Sequence, residues 1–305
     1  MYIILIDFYV IKIIYFIGDI MIDFIKMQGT GNNYIYIDLI SNNLKNIDFS
    51  DLSKKISDVN FGIGSDGLIL ICKSLVADAK MIIYNKDGSE AKMCGNGIRC
   101  VAKYLYDKLL KKNTIMIETK SGIKKVDIKI LNNGETSIIV NMGVPIFEPR
   151  RIPVILTDEI IIQKEVEFNN RLLKINCVSI GNPHTVIFLD NIDDIDIKEL
   201  GNSIQKSKIF PNQCNVEFVQ VLSRNKIKMR VWEIGSGETY SCGTGACASV
   251  ICGILNGFLD EKSKVEVDVA GGVLYVTYDK NVYLEGPAVT ICYGKYLYDR
   301  IIKRK

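Results

Sequence analysis

Short runs in which apolar and polar residues alternate, or in which β-branched residues follow one another, recur along most of the chain. Runs of this length and type predict β-strands. The clearest are Tyr34–Asp38, Leu68–Cys72, Met81–Tyr84, Thr114–Glu118, Val126–Ile130, Ser137–Val140, Val186–Leu189, Val216–Val221, Lys228–Trp232 and Val273–Tyr278. Strands are therefore expected to dominate the fold.

Helical periodicity is confined to a few segments. They are Leu52–Ser57, Ile98–Leu110, Ile197–Gln205 and Gly245–Asn256. The first of these is short, and the segment starting at Ile98 places its apolar residues on one helical face. The helices expected from Ile98 and from Gly245 both follow a Cys-Gly-x-Gly sequence directly.

The chain carries one set of motifs twice. Met93–Gly97 reads Met-Cys-Gly-Asn-Gly, and Ser241–Gly245 reads Ser-Cys-Gly-Thr-Gly. A glutamate stands four residues before each cysteine, and each half opens with a Gly-Asn pair, Gly31-Asn32 or Gly181-Asn182. This repetition predicts one structural unit used twice, with one cysteine in each copy.

A cluster of prolines between residues 145 and 153 predicts a domain boundary near the middle of the chain. We therefore expect an α+β fold of two pseudo-symmetric lobes, residues 21–141 and 142–285. Each lobe would be a curved, mostly antiparallel sheet around a central helix, with the active site in the cleft between them. Residues 286–305 are expected to return to the first lobe as a strand.

Composition narrows the possible functions. With 305 residues, 48% apolar and 24% charged content, the chain is typical of a soluble globular protein. A net charge of +3 without an aromatic-interleaved basic stripe argues against a nucleic-acid partner. Nine cysteines without a Cys-x-x-Cys spacing indicate reduced thiols in a cytoplasmic protein, and a single histidine argues against a zinc site.

The first twenty residues do not fit the pattern of the rest. Met1–Ile17 is almost wholly apolar, but it lacks the basic start and the cleavage site of a signal peptide. A membrane-spanning helix would have to bury Asp7 and Lys12, at about 2.5–3.5 kcal/mol each. We expect no membrane partner, and we interpret residues 1–20 as an extension outside the fold, which begins at Met21.

The two repeated cysteines are the candidate chemical groups. A cysteine immediately before a helix lies at the positive end of the helix dipole, which favours the thiolate and lowers its pKa. The backbone N–H groups of Gly95, Asn96, Gly243 and Thr244 could together hold a substrate carboxylate. One thiolate would then remove an α-proton while the opposite thiol donates one. A single Cys-Gly-x-Gly motif would be explained more simply by a buried, inert cysteine. Two matched copies of the motif favour a catalytic role for both cysteines.

Two other patterns have simpler interpretations. Gly62–Gly67 satisfies G-x-G-x-x-G, but it precedes a strand instead of opening a helix, so it predicts a turn and no cofactor. The remaining cysteines are expected to pack as small apolar side chains within helices or strands. They are Cys72, Cys100, Cys177, Cys214, Cys247, Cys252 and Cys292.

Several segments, in order, resemble diaminopimelate epimerases from Phe24 to the C-terminus. They are Phe24–Asn32, Asn85–Glu90, Cys94–Gly97, Gly181–His184, Asn215 and Glu233–Cys247. The resemblance implies a two-lobed enzyme that uses neither pyridoxal phosphate nor a metal. It also implies a small amino-acid substrate and a cytoplasmic homodimer.

The resemblance also implies a role for individual residues. Cys94 and Cys242 would be the acid and the base, and His184 and Glu233 would tune them. The reacting amine would be held by Asn32 and Glu233. The backbone at Gly95, Asn96, Gly243 and Thr244 would hold the substrate carboxylate. The distal pocket would be lined by Asn85, Asn182 and Asn215.

One position departs from the family pattern and bears on the substrate. The family reads Glu-Arg-Gly where this chain has Glu233-Ile234-Gly235, and the arginine binds the distal carboxylate of diaminopimelate. Without it, a buried carboxylate would be left without a partner at a cost of about 3–5 kcal/mol. The departure favours an amino acid without a distal carboxylate, such as histidine. Diaminopimelate stays an alternative if another arginine, Arg99 or Arg230, reaches the pocket.

Two hypotheses from other classes also follow from the sequence. Ile234 could mark a protein that binds an amino acid without catalysis, although Glu233, His184 and both cysteines are retained. Cys94 and Cys242 could alternatively form a reversible disulfide in a thiol redox protein.

Overall fold

The computed structural model describes residues 19–132, 134 and 136–299. Over these residues the chain forms an 18-stranded sheet with few helices. In the described part of the chain, no helix is both long and apolar enough to cross a membrane. Residues 1–18 of the predicted N-terminal extension lie outside the described residues. The first strand begins at Asp19, two residues before the start that was predicted at Met21.

The first lobe contains eight of the strands and two helices. In chain order they are β1 (Asp19–Gly29), β2 (Asn32–Asp38), α1 (Phe49–Ser57), β3 (Gly67–Cys72), β4 (Ala79–Asn85), β5 (Glu90–Ala91), α2 (Gly95–Leu105), β6 (Thr114–Thr119), β7 (Gly122–Ile130) and β8 (Thr136–Gly143). A π-helical turn, Tyr106–Leu110, extends α2, and a 3-10 turn, Pro149–Arg151, follows β8.

The second lobe repeats this order after one additional strand, β9. Its elements are β9 (Lys164–Phe168), β10 (Arg171–Ser179), β11 (Pro183–Phe188), α3 (Ile197–Gln205), β12 (Asn215–Ser223), β13 (Lys226–Glu233), β14 (Gly237–Thr239), α4 (Gly243–Leu255), β15 (Lys264–Val269), β16 (Gly272–Asp279) and β17 (Asn281–Gly286). The final strand, β18 (Val289–Asp299), pairs with β1 of the first lobe.

Strand pairing makes the repetition visible. In the first lobe β1 pairs antiparallel with β2, β2 parallel with β3, and β3 antiparallel with β4, which also pairs parallel with β6. In the second lobe β10, β11, β12, β13 and β15 pair in the same sequence of directions. An antiparallel pairing of β8 with β17 joins the lobes. The predicted α+β fold of two pseudo-symmetric lobes is confirmed.

The central helix of each lobe is buried because apolar or small residues cover nearly all of its surface. In α4 every residue from Gly243 to Ile254 is buried, and α2 exposes little beyond Lys103 and Tyr104. Both helices pack into one continuous apolar core with the strands of both lobes. The sheets therefore fix the position of the two helix starts from all sides.

The predicted strands and helices all lie within observed elements or differ from them only at the ends. The turn prediction for Gly62–Gly67 is also confirmed up to its last residue, which begins β3. Strands such as β15 and β18 were not among the runs that the alternation made clear. All nine cysteines are free thiols, and Cys100, Cys247 and Cys252 are fully buried in the helices.

Candidate active site

The starts of α2 and α4 bring one cysteine from each lobe to the place where the lobes meet. Cys94 is the N-cap of α2, and its Sγ accepts a hydrogen bond from the Gly97 N–H at 3.2 Å. Cys242 is the N-cap of α4 and accepts in the same way from Gly245 at 3.4 Å. The prediction that both cysteines directly precede helices is confirmed.

The two helix starts contact each other through residues without side chains. A Cβ atom built on Gly243 would lie 3.5 Å from the Gly95 Cα atom. The Asn96 side chain crosses from the first lobe and donates from Nδ2 to the Ser241 carbonyl at 3.2 Å. The two helix starts are therefore close neighbours, joined across the lobes by a side-chain hydrogen bond.

Around Cys94, the site is built from the start of β2 and the turn before β3. The Cys94 thiol lies 3.6 Å from Asn32 Oδ1, and the Tyr34 hydroxyl is within its hydrogen-bonding reach. Asp66 accepts from Asn32 Nδ2 at 2.9 Å and from the Asn33 N–H at 2.7 Å. Asp66 therefore orients the Asn32 amide so that its oxygen faces the sulfur.

Around Cys242, the site contains more ionisable groups. Glu233, at the end of β13, lies near enough to Cys242 to raise its pKa and accepts a hydrogen bond from Thr239. The Thr244 hydroxyl lies 3.4 Å from Cys242 Sγ. His184 on β11 is fully buried and lies near enough to Glu233 to lower its pKa. The predicted tuning residues His184 and Glu233 thus lie on the Cys242 side.

Burial dominates the electrostatics of the thiols. Desolvation raises the pKa of Cys94, and the N–H groups of Gly97 and Asn96 only partly oppose it. Desolvation, followed by the nearby charges of Glu233 and Glu217, raises the pKa of Cys242 well above its ordinary value. The helix N–H groups lower both pKa values as expected, but the net shift is upward because the loss of solvent outweighs them. Burial also raises the pKa of Glu233.

The residues expected around the distal end of the substrate are only partly brought together. Asn215 accepts from the Ile234 N–H at 3.0 Å, so it holds the backbone of the loop that carries the departure from the family pattern. Asn182 donates to Thr244 at 3.2 Å. Asn85 is engaged with Ser89 at 3.0 Å, and no contact in the described structure joins it to either cysteine.

Neither candidate arginine is free to replace the missing one. Arg99 is fully buried, and its guanidinium donates to Thr30, to the Gly95 carbonyl and to the Pro287 carbonyl, which ties the start of α2 to its surroundings. Arg230 is paired with Glu238 at 2.9 Å. The suggestion that one of them reaches the distal pocket is therefore not supported, since both perform structural tasks.

Sequence reasoning did not identify Tyr34, Asp66 or Glu217, which contact the site residues. Glu217 had a signal, because it is a single charge between apolar residues in the strand segment Val216–Val219. It is fully buried and lies 2.7 Å from His184. Tyr34 had a signal as well, because it occupies the position after Gly31-Asn32 that His184 occupies after Gly181-Asn182.

Comparison with known proteins places the chain among enzymes. The family model described as diaminopimelate epimerase matches residues 24–148 and 176–291. A diaminopimelate epimerase from Methanococcus maripaludis is 44% identical over 276 residues, which cover 89% of this chain and 98% of that protein. A diaminopimelate epimerase from Acetivibrio thermocellus is also 44% identical, over 89% of this chain and 97% of that protein.

Solved structures share the fold at low sequence identity. A phenazine biosynthesis protein of the PhzF family from Bacillus anthracis superposes with a TM-score of 0.67 at 19% identity, covering 92% of this chain and 100% of that one. A hydroxyproline epimerase from Agrobacterium vitis gives a TM-score of 0.66 at 13% identity, covering 92% and 94%. The two-lobed architecture is thus common to proteins of different sequence.

Proposed function

The chain belongs to the diaminopimelate epimerase family of isomerases, and we propose that it inverts the α-carbon of an amino acid by proton transfer to and from Cys94 and Cys242. One observation carries this proposal: each cysteine caps a buried helix, one from each lobe, and the two helix starts are in contact. Inversion requires a base on one face of the carbon and an acid on the other. Two cysteines from opposite lobes meet that requirement.

In the proposed reaction the substrate carboxylate binds the N–H groups of Gly95, Asn96, Gly243 and Thr244. The base thiolate takes the α-proton, so the C–H bond breaks and an S–H bond forms. The electron pair left on the α-carbon spreads into the carboxylate, where the positive ends of both helices stabilise it. The opposite thiol then gives its proton to the other face and becomes the thiolate.

The amine of the substrate would lie between the two sides of the site. Asn32 presents Oδ1 beside Cys94, and Glu233 presents a buried carboxylate beside Cys242. An ammonium group placed between them would satisfy both acceptors. Its positive charge would also offset the burial that raises the pKa values of the two thiols.

Two observations favour two different substrates. The curated relatives at 44% identity are diaminopimelate epimerases, which supports diaminopimelate, with interconversion of its LL and meso forms, as the first candidate. Ile234, together with the engagement of Arg99 and Arg230, supports an amino acid without a distal carboxylate, such as histidine, as the second. Because the mechanism acts only on the α-carbon, it is the same for both.

Solvent exchange tests the reaction and the substrate together. The protein is incubated in heavy water with diaminopimelate, histidine, lysine or glutamate, and loss of the α-proton signal is followed by NMR. We expect exchange with one of them, lost in Cys94→Ala and in Cys242→Ala and kept in Cys292→Ala, which removes an exposed thiol. Full turnover by either of the first two variants would refute the two-thiol mechanism. Binding without exchange would instead favour a non-catalytic binding protein, and consumption of a reductant in proportion to turnover would favour a redox protein.

We also propose that the protein is a homodimer. The edge strand β18 exposes a row of apolar side chains that includes Val289, Ile291, Tyr293 and Leu297. Covering such a row in a second copy would remove apolar surface from water. Sedimentation equilibrium of the wild type and of Ile291→Lys tests this, with a shift of the variant toward monomer as the expected result.

A further inference from the structure

The internal repeat allows the surroundings of the two thiols to be compared position by position. The β2–β3 pairing places Tyr34 and Ile69 where the β11–β12 pairing places His184 and Glu217. The helix contacts agree with this equivalence. A Cβ built on Gly97 would lie 2.6 Å from Ile69 Cδ1, and a Cβ built on Gly245 would lie 2.6 Å from Glu217 Oε1.

This equivalence makes Glu217 unusual. Near Cys94, the hydrocarbon side chain of Ile69 fills the space between the start of α2 and the sheet. Packing alone therefore does not require a carboxylate at the equivalent position near Cys242. Glu217 is fully buried, and its Oε2 atom has no hydrogen-bond partner among the described residues. A buried carboxylate costs several kcal/mol unless it is compensated. Its presence on the Cys242 side alone therefore points to a task in the reaction.

A continuous series of hydrogen bonds leads from Glu217 to the sulfur of Cys242. His184 Nδ1 lies 2.7 Å from Glu217 Oε1, and His184 Nε2 lies 3.0 Å from Asn182 Oδ1. Asn182 Nδ2 donates to Thr244 Oγ1 at 3.2 Å, and Thr244 Oγ1 lies 3.4 Å from Cys242 Sγ. Each link of this relay is within hydrogen-bonding distance.

The direction of the relay follows from its members. Asn182 Oδ1 can only accept, so His184 Nε2 must carry a proton. A second proton must lie between Nδ1 and Glu217, which makes the pair either an imidazolium with a carboxylate or two neutral groups. In both cases the pair is neutral as a whole, so the charge of Glu217, which by itself opposes the Cys242 thiolate, is balanced within the pair. Since Thr244 Oγ1 accepts from Asn182, its own proton is left for Cys242.

We propose that Glu217 is a positioning residue that, through His184, Asn182 and Thr244, aims the Thr244 hydroxyl proton at Cys242 and so stabilises the Cys242 thiolate. This inference rests on the proposed function only for its purpose, because the reactivity of Cys242 can be measured without turnover. The groups facing Cys242 are Glu217 from β12, His184 from β11 and Glu233 from β13.

The Glu217→Gln variant separates this proposal from a simple charge effect. A glutamine cannot take up a proton, so His184 stays neutral; we expect its single proton at Nδ1, facing the glutamine oxygen in the place of Oε1, so that Nε2 becomes an acceptor and the Asn182 amide turns over. Thr244 then donates to Asn182 instead of Cys242. If Glu217 instead acted as an unpaired negative charge, its removal would make the thiolate easier to form. The two models predict changes of opposite sign.

Alkylation with iodoacetamide, followed by peptide mass spectrometry, measures the thiolate at each cysteine of the substrate-free protein. In Glu217→Gln we expect Cys242 to react at least about tenfold more slowly, since a hydrogen bond to a charged group changes an equilibrium by a factor of about 10 to 100. Cys94 in the same sample is the internal control and should be unchanged. Glu165→Gln, an exposed carboxylate of the same lobe, should change neither.

A second variant tests the path. Thr244→Val removes the last hydroxyl and should slow Cys242 to a similar extent, and the double variant Glu217→Gln/Thr244→Val should be no slower than either single variant. Unchanged or faster alkylation of Cys242 in folded Glu217→Gln would overturn the proposal, as would equal slowing of both cysteines. If Glu217→Gln does not fold, an unchanged Cys242 rate in Thr244→Val overturns it. If the wild type exchanged no α-proton with any substrate while the alkylation rates of the variants changed as expected, the proposed function alone would be refuted.

Discussion

Ile234→Arg tests the idea that this one position restricts the substrate. The backbone of residue 234 is fixed by the hydrogen bond from its N–H to Asn215 Oδ1 at 3.0 Å, and Gly235 with a φ of 76° continues the turn. The position directly follows Glu233, which contacts Cys242. An arginine there would therefore start close to Cys242, on the loop that ends β13.

The structure sets the size of the expected effect. A charge-assisted hydrogen bond contributes about 1.5–3 kcal/mol when it is well shielded, or a factor of about 10 to 100 in kcat/KM. Ile234 is 39% exposed, so solvent screens a charge placed there and the lower end applies. We expect kcat/KM for diaminopimelate to rise about tenfold, mainly through KM, and kcat/KM for histidine not to rise.

The assay is α-proton exchange measured over a range of substrate concentrations. Ser236→Arg provides the matched control, since it adds the same charge at an exposed position two residues further along the same turn. The reasoning would be refuted if the wild type already processed diaminopimelate as efficiently as Ile234→Arg. An equal gain in Ser236→Arg would also refute it, because the effect would then be one of net charge.

Three further predictions concern the architecture of the site. Arg99→Met removes three hydrogen bonds, two of them buried, from a fully buried guanidinium, so urea unfolding should show a loss of about 3–5 kcal/mol. Burial raises the pKa of the Cys94 and Cys242 thiols, so less thiolate is present at a given pH. Their alkylation rates should keep rising beyond about pH 8.5 and stay below that of exposed Cys292. A plateau in their rates below that pH would contradict this prediction. Gly245→Ala should reduce the free energy of unfolding by about 1–3 kcal/mol and lower the melting temperature accordingly, because its Cβ would lie 2.6 Å from Glu217 Oε1. An unchanged melting temperature would show that Glu217 can move.

Much of the fold could be predicted from local patterns. Alternating runs such as Leu68–Cys72 show the period of strands, and the small, apolar segment after Cys242 shows a helix that is buried on all sides. The repeated Cys-Gly-x-Gly predicted both the two lobes and the position of each cysteine before a helix. Such features depend on residues close in sequence, which is why a single chain reveals them.

The electrostatic character of the site depended on tertiary structure. The helix starts predicted lower thiol pKa values, but only the packed structure shows how completely solvent is removed around Cys242 and how close Glu217 and Glu233 lie to it. Arg99 and Arg230 could be candidates for the distal pocket in the sequence, since a guanidinium has the right charge. Their partners, which come from distant segments, assign them elsewhere.

The sequence by itself was enough to predict the two candidate cysteines, because matched motifs are a property of the order of residues along the chain. It also identified Ile234 as the position that departs from the family. Only the tertiary structure decided that the two thiols have different surroundings. Tyr34 and Ile69 lie near Cys94, whereas His184 and Glu217 lie near Cys242. The physical reason is that a pKa and a hydrogen-bonded relay are set by groups that are near in space and far apart in sequence.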